Sequence, residues 1–243
     1  MTSLPLWIVV PTLNERAALP ETVNALSCLT DSARLLFVDG GSTDGTREWL
    51  AEHGLPVVHS PRGRGSQLAA GAERALAECA AMGSSIAETM DTILWFVHAD
   101  CRPSLDAVAE LQAAVAQGAV AGSCTMRFSG SGWEVRGMTA FYGAMSRLGL
   151  SYGDATLFIR ADAYRSIGGF AHQPLFEDLD LLRRVRRRYP GGFRRIRAEV
   201  LASSRRFEGL RFPLVFTQWV FLQALFWCGV PPRLLAAWYR PSR

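Results

Sequence analysis

The sequence predicts an α/β protein: a mostly parallel, Rossmann-like sheet with helices on both faces and a helical C-terminal appendage. Three observations carry this expectation. Short apolar runs alternate with helical patterns through the first half of the chain, as strands buried on both faces require. Polar clusters follow four of those runs, and in an open α/β sheet such positions share the carboxyl edge, where ligands bind. Finally, 243 residues at 49% hydrophobic and 20% charged suffice to bury one core without disulfides or a structural metal.

The elements follow in order. Leu6–Val10 is a strand, closed by Pro-Thr-Leu-Asn-Glu at 11–15, and Ala17–Leu29 reads as a helix. Leu35–Val38 is a second strand, ended by the turn residues Asp39 to Gly45, with a helix from Thr46 to His53. Pro56–His59 is a third strand, and Gly63-Arg64-Gly65 opens a long Ala-rich helix running to Met82. Ile93–Val97 is a fourth, ended by His98-Ala99-Asp100 and followed by a helix over Leu105–Gln117. Beyond 120 the pattern changes: a strand at Val120–Phe128, a helix from Glu134 to Leu148, a strand within Gly153–Arg160 and a sharp turn at Gly168-Gly169-Phe170. Phe176–Leu182 leads into a basic helix, Arg183–Arg188. Phe193–Ala202 alternates like an exposed strand.

Charge is divided unevenly. Residues 1–122 carry 7 Arg against 14 acids, and residues 123–243 carry 19 Arg against 8 acids. A basic second half suits a phosphate-bearing ligand or an anionic membrane surface. Nucleic acid is a poor fit, because neither a recognition motif nor aromatics interleaved in a basic groove are present. Five cysteines with no C-x-x-C indicate neither a disulfide framework nor a zinc site. The N-terminus has no basic n-region, so no signal peptide is expected, and a reducing, cytoplasmic setting follows.

Three nucleotide sites fail on inspection. A dinucleotide fold needs G-x-G-x-x-G after its first strand, where this chain has Pro-Thr-Leu-Asn-Glu; Gly63-x-Gly65 has Leu68 in place of the third glycine. No Walker A sequence exists, and a nucleotidylyltransferase would also need a Gly-rich first loop. What remains is carboxylate chemistry. An acid at a strand end can accept from a nucleobase N–H or a ribose hydroxyl. Another can hold Mg²⁺ or Mn²⁺ against a diphosphate. Arg62 or Arg64, beside a glycine turn at a helix N-terminus, is placed to meet phosphate oxygens. Each cluster alone is also ordinary turn or N-cap chemistry.

The ordered set Val10-Pro-Thr-Leu-Asn-Glu15, Val38-Asp-Gly-Gly-Ser-Thr-Asp-Gly-Thr46, Gly63-Arg-Gly65, Phe96-Val-His-Ala-Asp100, Phe158-Ile-Arg160 with Gly168-Gly169-Phe170, and Phe176-Glu-Asp178 resembles a family 2 glycosyltransferase, over about residues 6–204. More narrowly, the chain is similar to a small bacterial subgroup assigned to arsenosugar biosynthesis. The resemblance implies the GT-A (nucleotide-diphospho-sugar transferase) fold, a divalent metal (Mn²⁺ or Mg²⁺), and inverting transfer from a nucleoside-diphosphate sugar. It implies donor binding by Pro11, Thr12, Asn14, Glu15, Asp39, Gly41, Asp44, Arg62, Arg64, His98, Ala99 and Asp100. Asp100 would ligate the metal, and Asp178, with Glu177, would be catalytic, Asp178 as the base toward an acceptor hydroxyl. If the acceptor is itself a phosphate, such as a polyprenyl phosphate, no base is needed and Asp178 would only position it.

Two departures qualify this. Gly40 stands where the family often has a second acid, so Asp39 or backbone must read the base. His98 stands where the metal motif usually begins with Asp, and it is open to two readings: a ligand, or a histidine hydrogen-bonded at a strand end. Together they keep open a catalytically inactive nucleotide-sugar-binding protein. Arg205 and Arg206 lie where processive members carry Gln-x-x-Arg-Trp, but Phe207 replaces the Trp, so no polymer synthase is expected.

Residues 1–204 thus form the expected transferase domain, and 205–243 an apolar appendage, either part of that domain or an interface element. Leu214–Val230, bounded by Pro213 and Pro231, is 17 residues long. As a helix it spans ~25 Å, short of the ~30 Å hydrocarbon core. It is expected to dock, to dimerise, or to touch the inner face of a membrane through 211–238, with a small-molecule or lipid-linked acceptor.

Overall fold

The computed structural model describes residues 4–82, 86–130, 132–147, 156–203 and 212–238. Eight strands form one sheet: β1 (Leu6–Thr12), β2 (Arg34–Asp39), β3 (Val57–His59), β4 (Ile93–Phe96), β5 (Cys101–Pro103), β6 (Ala121–Phe128), β7 (Leu157–Arg160) and β8 (Phe193–Ala202). Their order is β3-β2-β1-β4-β7-β6-β8-β5. β1 pairs parallel with β2 and β4, β2 with β3, and β6 with β8. β7 runs antiparallel to both β4 and β6, and β5 antiparallel to β8. The sheet is therefore mixed but mostly parallel, as expected.

Alternation along β1 shows why helices are needed on both sides, since successive side chains point to opposite faces. Leu6, Ile8 and Val10 join a core with α1 (Leu19–Ser27), α2 (Thr46–Glu52), α5 (Ala107–Ala116) and α6 (Trp133–Arg147). Trp7 and Val9 join a second core with α3 (Arg64–Ala81), α7 (Ala161–Ser166) and α8 (Glu177–Arg188). α4 (Ile86–Asp91), α9 (Phe212–Trp227) and α10 (Pro232–Trp238) complete the described elements.

Most strands and helices fall where the sequence placed them, and the differences have physical reasons. β5 and α4 were not expected: three and six residues are too short to show a period. β3 is half-exposed, because it lies at the sheet edge. The acidic stretch before Arg183 is the first turn of α8 itself, where carboxylates suit the positive helix end. Among its arginines, Arg184 bonds Asp180 at 2.9 Å and donates to the carbonyls of Ile167 and Gly169 at 2.5 and 2.7 Å, fastening the end of α7. The expected strand start at 153–155, the helix end at Leu148, and Arg205, Arg206 and Phe207 lie outside the described residues.

Candidate active site

Register brings the strand ends together: Thr12 of β1 lies opposite Asp39 of β2, and Val9 opposite Phe96 of β4. The loops beyond β1 and β2 are then stitched to each other. Asn14 adopts φ 57°, a left-handed conformation that asparagine tolerates better than most residues. Its Oδ1 accepts from the Thr43 N–H at 2.8 Å, and its own N–H donates to the Ser42 hydroxyl at 2.9 Å. Asp44 accepts from the Arg16 N–H at 3.0 Å and the Thr46 hydroxyl at 2.6 Å, while Thr46 accepts from the Glu15 N–H at 3.0 Å. Asp39, 1% exposed, accepts from the N–H groups of Gly41 at 2.9 Å and Ser42 at 3.1 Å. Four residues expected at the donor, Asn14, Asp39, Gly41 and Asp44, are thus engaged in holding these loops.

Burial alone would raise the Asp44 pKa, but the hydrogen bonds from Thr46 and the Arg16 backbone outweigh it and hold the carboxyl below its ordinary value of 3.8. A lowered folded-state pKa contributes stability above the unfolded value that is lost as pH falls through the folded one. Asp44→Asn is accordingly expected to melt below wild type at neutral pH, with the gap closing below about pH 4. Melting temperatures across that range check it; a gap that is constant with pH contradicts it.

In front of these loops lies a cleft of about 300 Å³. Pro11, Leu13 and Glu15 form one wall, and Arg62, Arg64 and Gln67 another. His98, Ala99 and Asp100 line a third, and Met126, Phe128, Ala202 and Ser203 close it from β6 and β8. Seven residues named from the sequence therefore converge here: Pro11, Glu15, Arg62, Arg64, His98, Ala99 and Asp100. Thr12, Asn14, Asp39, Gly41 and Asp44 do not line it.

His98 and Asp100 sit on one turn, fixed by the Cys101 N–H donating to the His98 carbonyl at 3.0 Å and the Ser203 N–H to the Asp100 carbonyl at 3.2 Å. Both are half-exposed. Among the described residues no group of three or more His, Cys, Asp or Glu is placed to hold a metal. A cation bound here would take at most these two protein ligands and fill its sphere from a ligand's oxygens and water, as Mg²⁺ commonly does.

Among the cleft residues that the sequence reading did not name is a buried glutamine. Gln67, 3% exposed, lies in the first turns of α3 and donates from Nε2 to the carbonyls of Thr12 at 2.7 Å and Val38 at 2.9 Å. A Cβ at Gly40 would stand 2.8 Å from its Cδ. The glycine that breaks the family pattern thus leaves room for the glutamine: a side chain at 40 would make the Gln67 amide shift. No local signal marks a lone glutamine in an Ala-rich helix. Gln67→Ala is expected to take one donor from each of the Thr12 and Val38 carbonyls, which keep the Gly40 N–H and the Thr12 hydroxyl respectively, at a cost of about 1 kcal/mol per bond. Chemical denaturation checks it, and an unchanged midpoint would contradict it.

A small recess of about 10 Å³ adjoins the cleft and shares Arg64 and His98 with it; Glu177 and Asp178 are among its lining residues. Gly65 makes this approach possible, since a Cβ there would stand 2.6 Å from the Ala171 carbonyl oxygen and 3.3 Å from Glu177 Cβ. Arg64 Nε bonds Glu177 Oε1, and its Nη2 lies 3.8 Å from Asp178 Oδ2. Glu177 is 2% exposed. Burial pushes its pKa up and the Asp178 charge adds to this, while Arg64 opposes both. Just before the pair, Phe176 holds φ 62°, a strained conformation for a bulky residue. Its ring packs on Phe226 of α9 with centroids 4.9 Å apart. Asp180, by contrast, is taken up by Arg184.

The family model described as glycosyl transferase family 2 matches residues 7–167. Among curated proteins none matches the chain. Solved structures do. Glucosyl-3-phosphoglycerate synthase from Mycobacterium tuberculosis, bound to Mn²⁺, UDP and glucosyl-3-phosphoglycerate, overlays with a TM-score of 0.63 at 20% identity, covering 94% of this chain and 81% of that one. The mannosyltransferase PcManGT from Pyrobaculum calidifontis, bound to GDP-Man and Mn²⁺, gives 0.57 at 20% identity, with 83% of this chain and 57% of that one covered. TarS from S. aureus, in complex with UDP-GlcNAc, gives 0.59 at 16% identity, with 86% and 61% covered. The chain thus spans less than two thirds of the latter two. These overlays show the GT-A fold.

Proposed function

Since the chain belongs to glycosyl transferase family 2, we propose that it transfers a single hexose from a nucleoside-diphosphate sugar to an acceptor hydroxyl, inverting the anomeric centre. The observation that carries this reading is the adjacency, across Arg64 and His98, of the cleft that His98 and Asp100 line and of a small recess lined by the buried carboxylates Glu177 and Asp178. An inverting displacement needs this division, with leaving group and base on opposite sides of the sugar.

The donor set fits a divalent cation: one imidazole and one carboxylate on a single turn, facing a cleft walled by Arg62 and Arg64. His98 in place of a carboxylate favours Mn²⁺ over the harder Mg²⁺. When bound, the cation would supply neutralisation of charge on the leaving diphosphate. The solved structures bound to Mn²⁺ support that assignment.

The chain's own residues do the rest. Arg62 and Arg64 hold the diphosphate oxygens. Asp178 accepts the acceptor's hydroxyl proton as that oxygen bonds to the anomeric carbon; the bond from that carbon to the diphosphate breaks, and its electron pair leaves with the diphosphate. Glu177 fixes Arg64 between the two sites. No residue of the cleft carries chemistry specific to arsenic, so the acceptor is proposed at the level of a hydroxyl compound, small or lipid-linked.

A thermal-shift panel of UDP, GDP, CDP and dTDP sugars with Mn²⁺ tests the reading. One nucleotide series is expected to stabilise the protein by ~2.7 kcal/mol at a hundredfold its dissociation constant. No shift with any of the four, with or without Mn²⁺, would refute nucleotide-sugar binding.

A further inference from the structure

The α9–α10 hairpin has two apolar faces, and only one of them is used. Trp219, Leu222 and Phe226 turn inward and pack on the main core, with Leu222 1% exposed. On the other side Phe221 and Trp227 of α9 are 54% and 58% exposed, and Leu234 and Trp238 of α10 are each 61% exposed. The Gln218 amide donates to the Trp238 carbonyl at 2.8 Å, so the two helices present these side chains as one unit. Charge then narrows the partner. Residues 209–243 contain four arginines and no aspartate or glutamate; of the four, Arg233 lies in the described hairpin, exposed on α10.

We propose that this outer face docks on an anionic lipid bilayer. Exposed Trp, Phe and Leu beside arginine, without acids, is the composition of a helix lying in the membrane interface, where indole rings sit at headgroup level and arginines meet anionic lipid. No helix of the described residues is long and apolar enough to cross a membrane, so the contact is along the surface. A second copy of the chain is disfavoured as occupant, because it would set two segments of the same positive charge against each other. The inference is independent of donor chemistry, but it has a consequence for acceptor delivery. The hairpin's inner face holds Phe176, one residue from Glu177, so the docked element is packed on the start of the helix that carries Asp178.

Co-sedimentation of the full chain with vesicles of phosphatidylcholine, with and without about 30% phosphatidylglycerol, tests this. Binding is expected only with the anionic vesicles, weakened about tenfold or more by Trp227→Ser combined with Trp238→Ser, and by ~0.5 M salt. Melting temperature reports whether the variant is folded; if it is not, Phe221→Ser with Leu234→Ser takes its place. A chain that stays in the supernatant with anionic vesicles overturns the proposal. So does a solution dimer that these substitutions split into monomers, which would make a second copy the occupant.

Discussion

Asp178→Asn is expected to lower transfer to a hydroxyl acceptor by 10²–10⁴, roughly 3–5 kcal/mol of barrier, while leaving donor affinity unchanged. Asparagine keeps the shape and can still hydrogen-bond, but it cannot take a proton. The three acids differ in their partners: Asp178 accepts from the Leu179 N–H at 2.8 Å and lies 3.8 Å from Arg64 Nη2. Asp180 is bonded to Arg184, which ties α8 to the end of α7, so Asp180→Asn is expected to reduce stability and spare chemistry. Glu177 is bonded to Arg64, so Glu177→Gln should loosen that side chain and show first in donor affinity. Calorimetry for donor binding beside turnover for all three variants gives the comparison. If Asp180→Asn abolishes turnover and Asp178→Asn does not, the wrong carboxylate has been assigned; if none of the three does, the acceptor is a phosphate that needs no base.

Asp100→Ala should be as severe and fail differently. Removing the one carboxylate of the His98–Asp100 turn leaves an imidazole alone, too few ligands to keep a cation at the diphosphate. Donor binding is expected to lose its Mn²⁺ dependence, and turnover to fall by about 10³ or more, the scale on which electrostatic stabilisation of a leaving group acts. Chelating the metal from wild type should reproduce the same state. His98→Ala resolves the two readings of that residue. If it is a ligand, its loss should weaken Mn²⁺ affinity about 10–100-fold; as a strand-end histidine it should leave the metal titration where it was. Near-native turnover of Asp100→Ala with metal still required would place the metal elsewhere.

The fold was legible because its signal is repeated. Apolar runs at β1, β2 and β4 and the helices between them are long enough for a period to show, and the parallel order follows from their alternation. The three-residue β5 and the six-residue α4 carry no such signal. The site was legible in part for the same reason: residues at strand ends must share one edge, so Glu15, Arg64 and Asp100 meet in a single cleft. Sequence could not show which polar residues at that edge face a ligand and which brace a loop. Asp39 and Asp44 have the composition of binding residues and the hydrogen bonds of braces. Gln67 was illegible because its partners, the Thr12 and Val38 carbonyls, lie 55 and 29 positions away in the chain. The contact of Phe226 with Phe176 was hidden likewise: an apolar segment near the C-terminus read as an appendage, and it packs on the residue that precedes Glu177 and Asp178.

The central claim is a single displacement in which Asp178 removes a proton on the side opposite the diphosphate. The stereochemistry of the product tests it most directly. With the donor that the nucleotide panel identifies, ¹H NMR of the anomeric proton, recorded before mutarotation when water or a simple alcohol serves as acceptor, should show the inverted configuration in wild type and almost no product with Asp178→Asn. A product with the donor's own configuration would contradict the account, because retention requires an intermediate that one carboxylate acting as a base does not form.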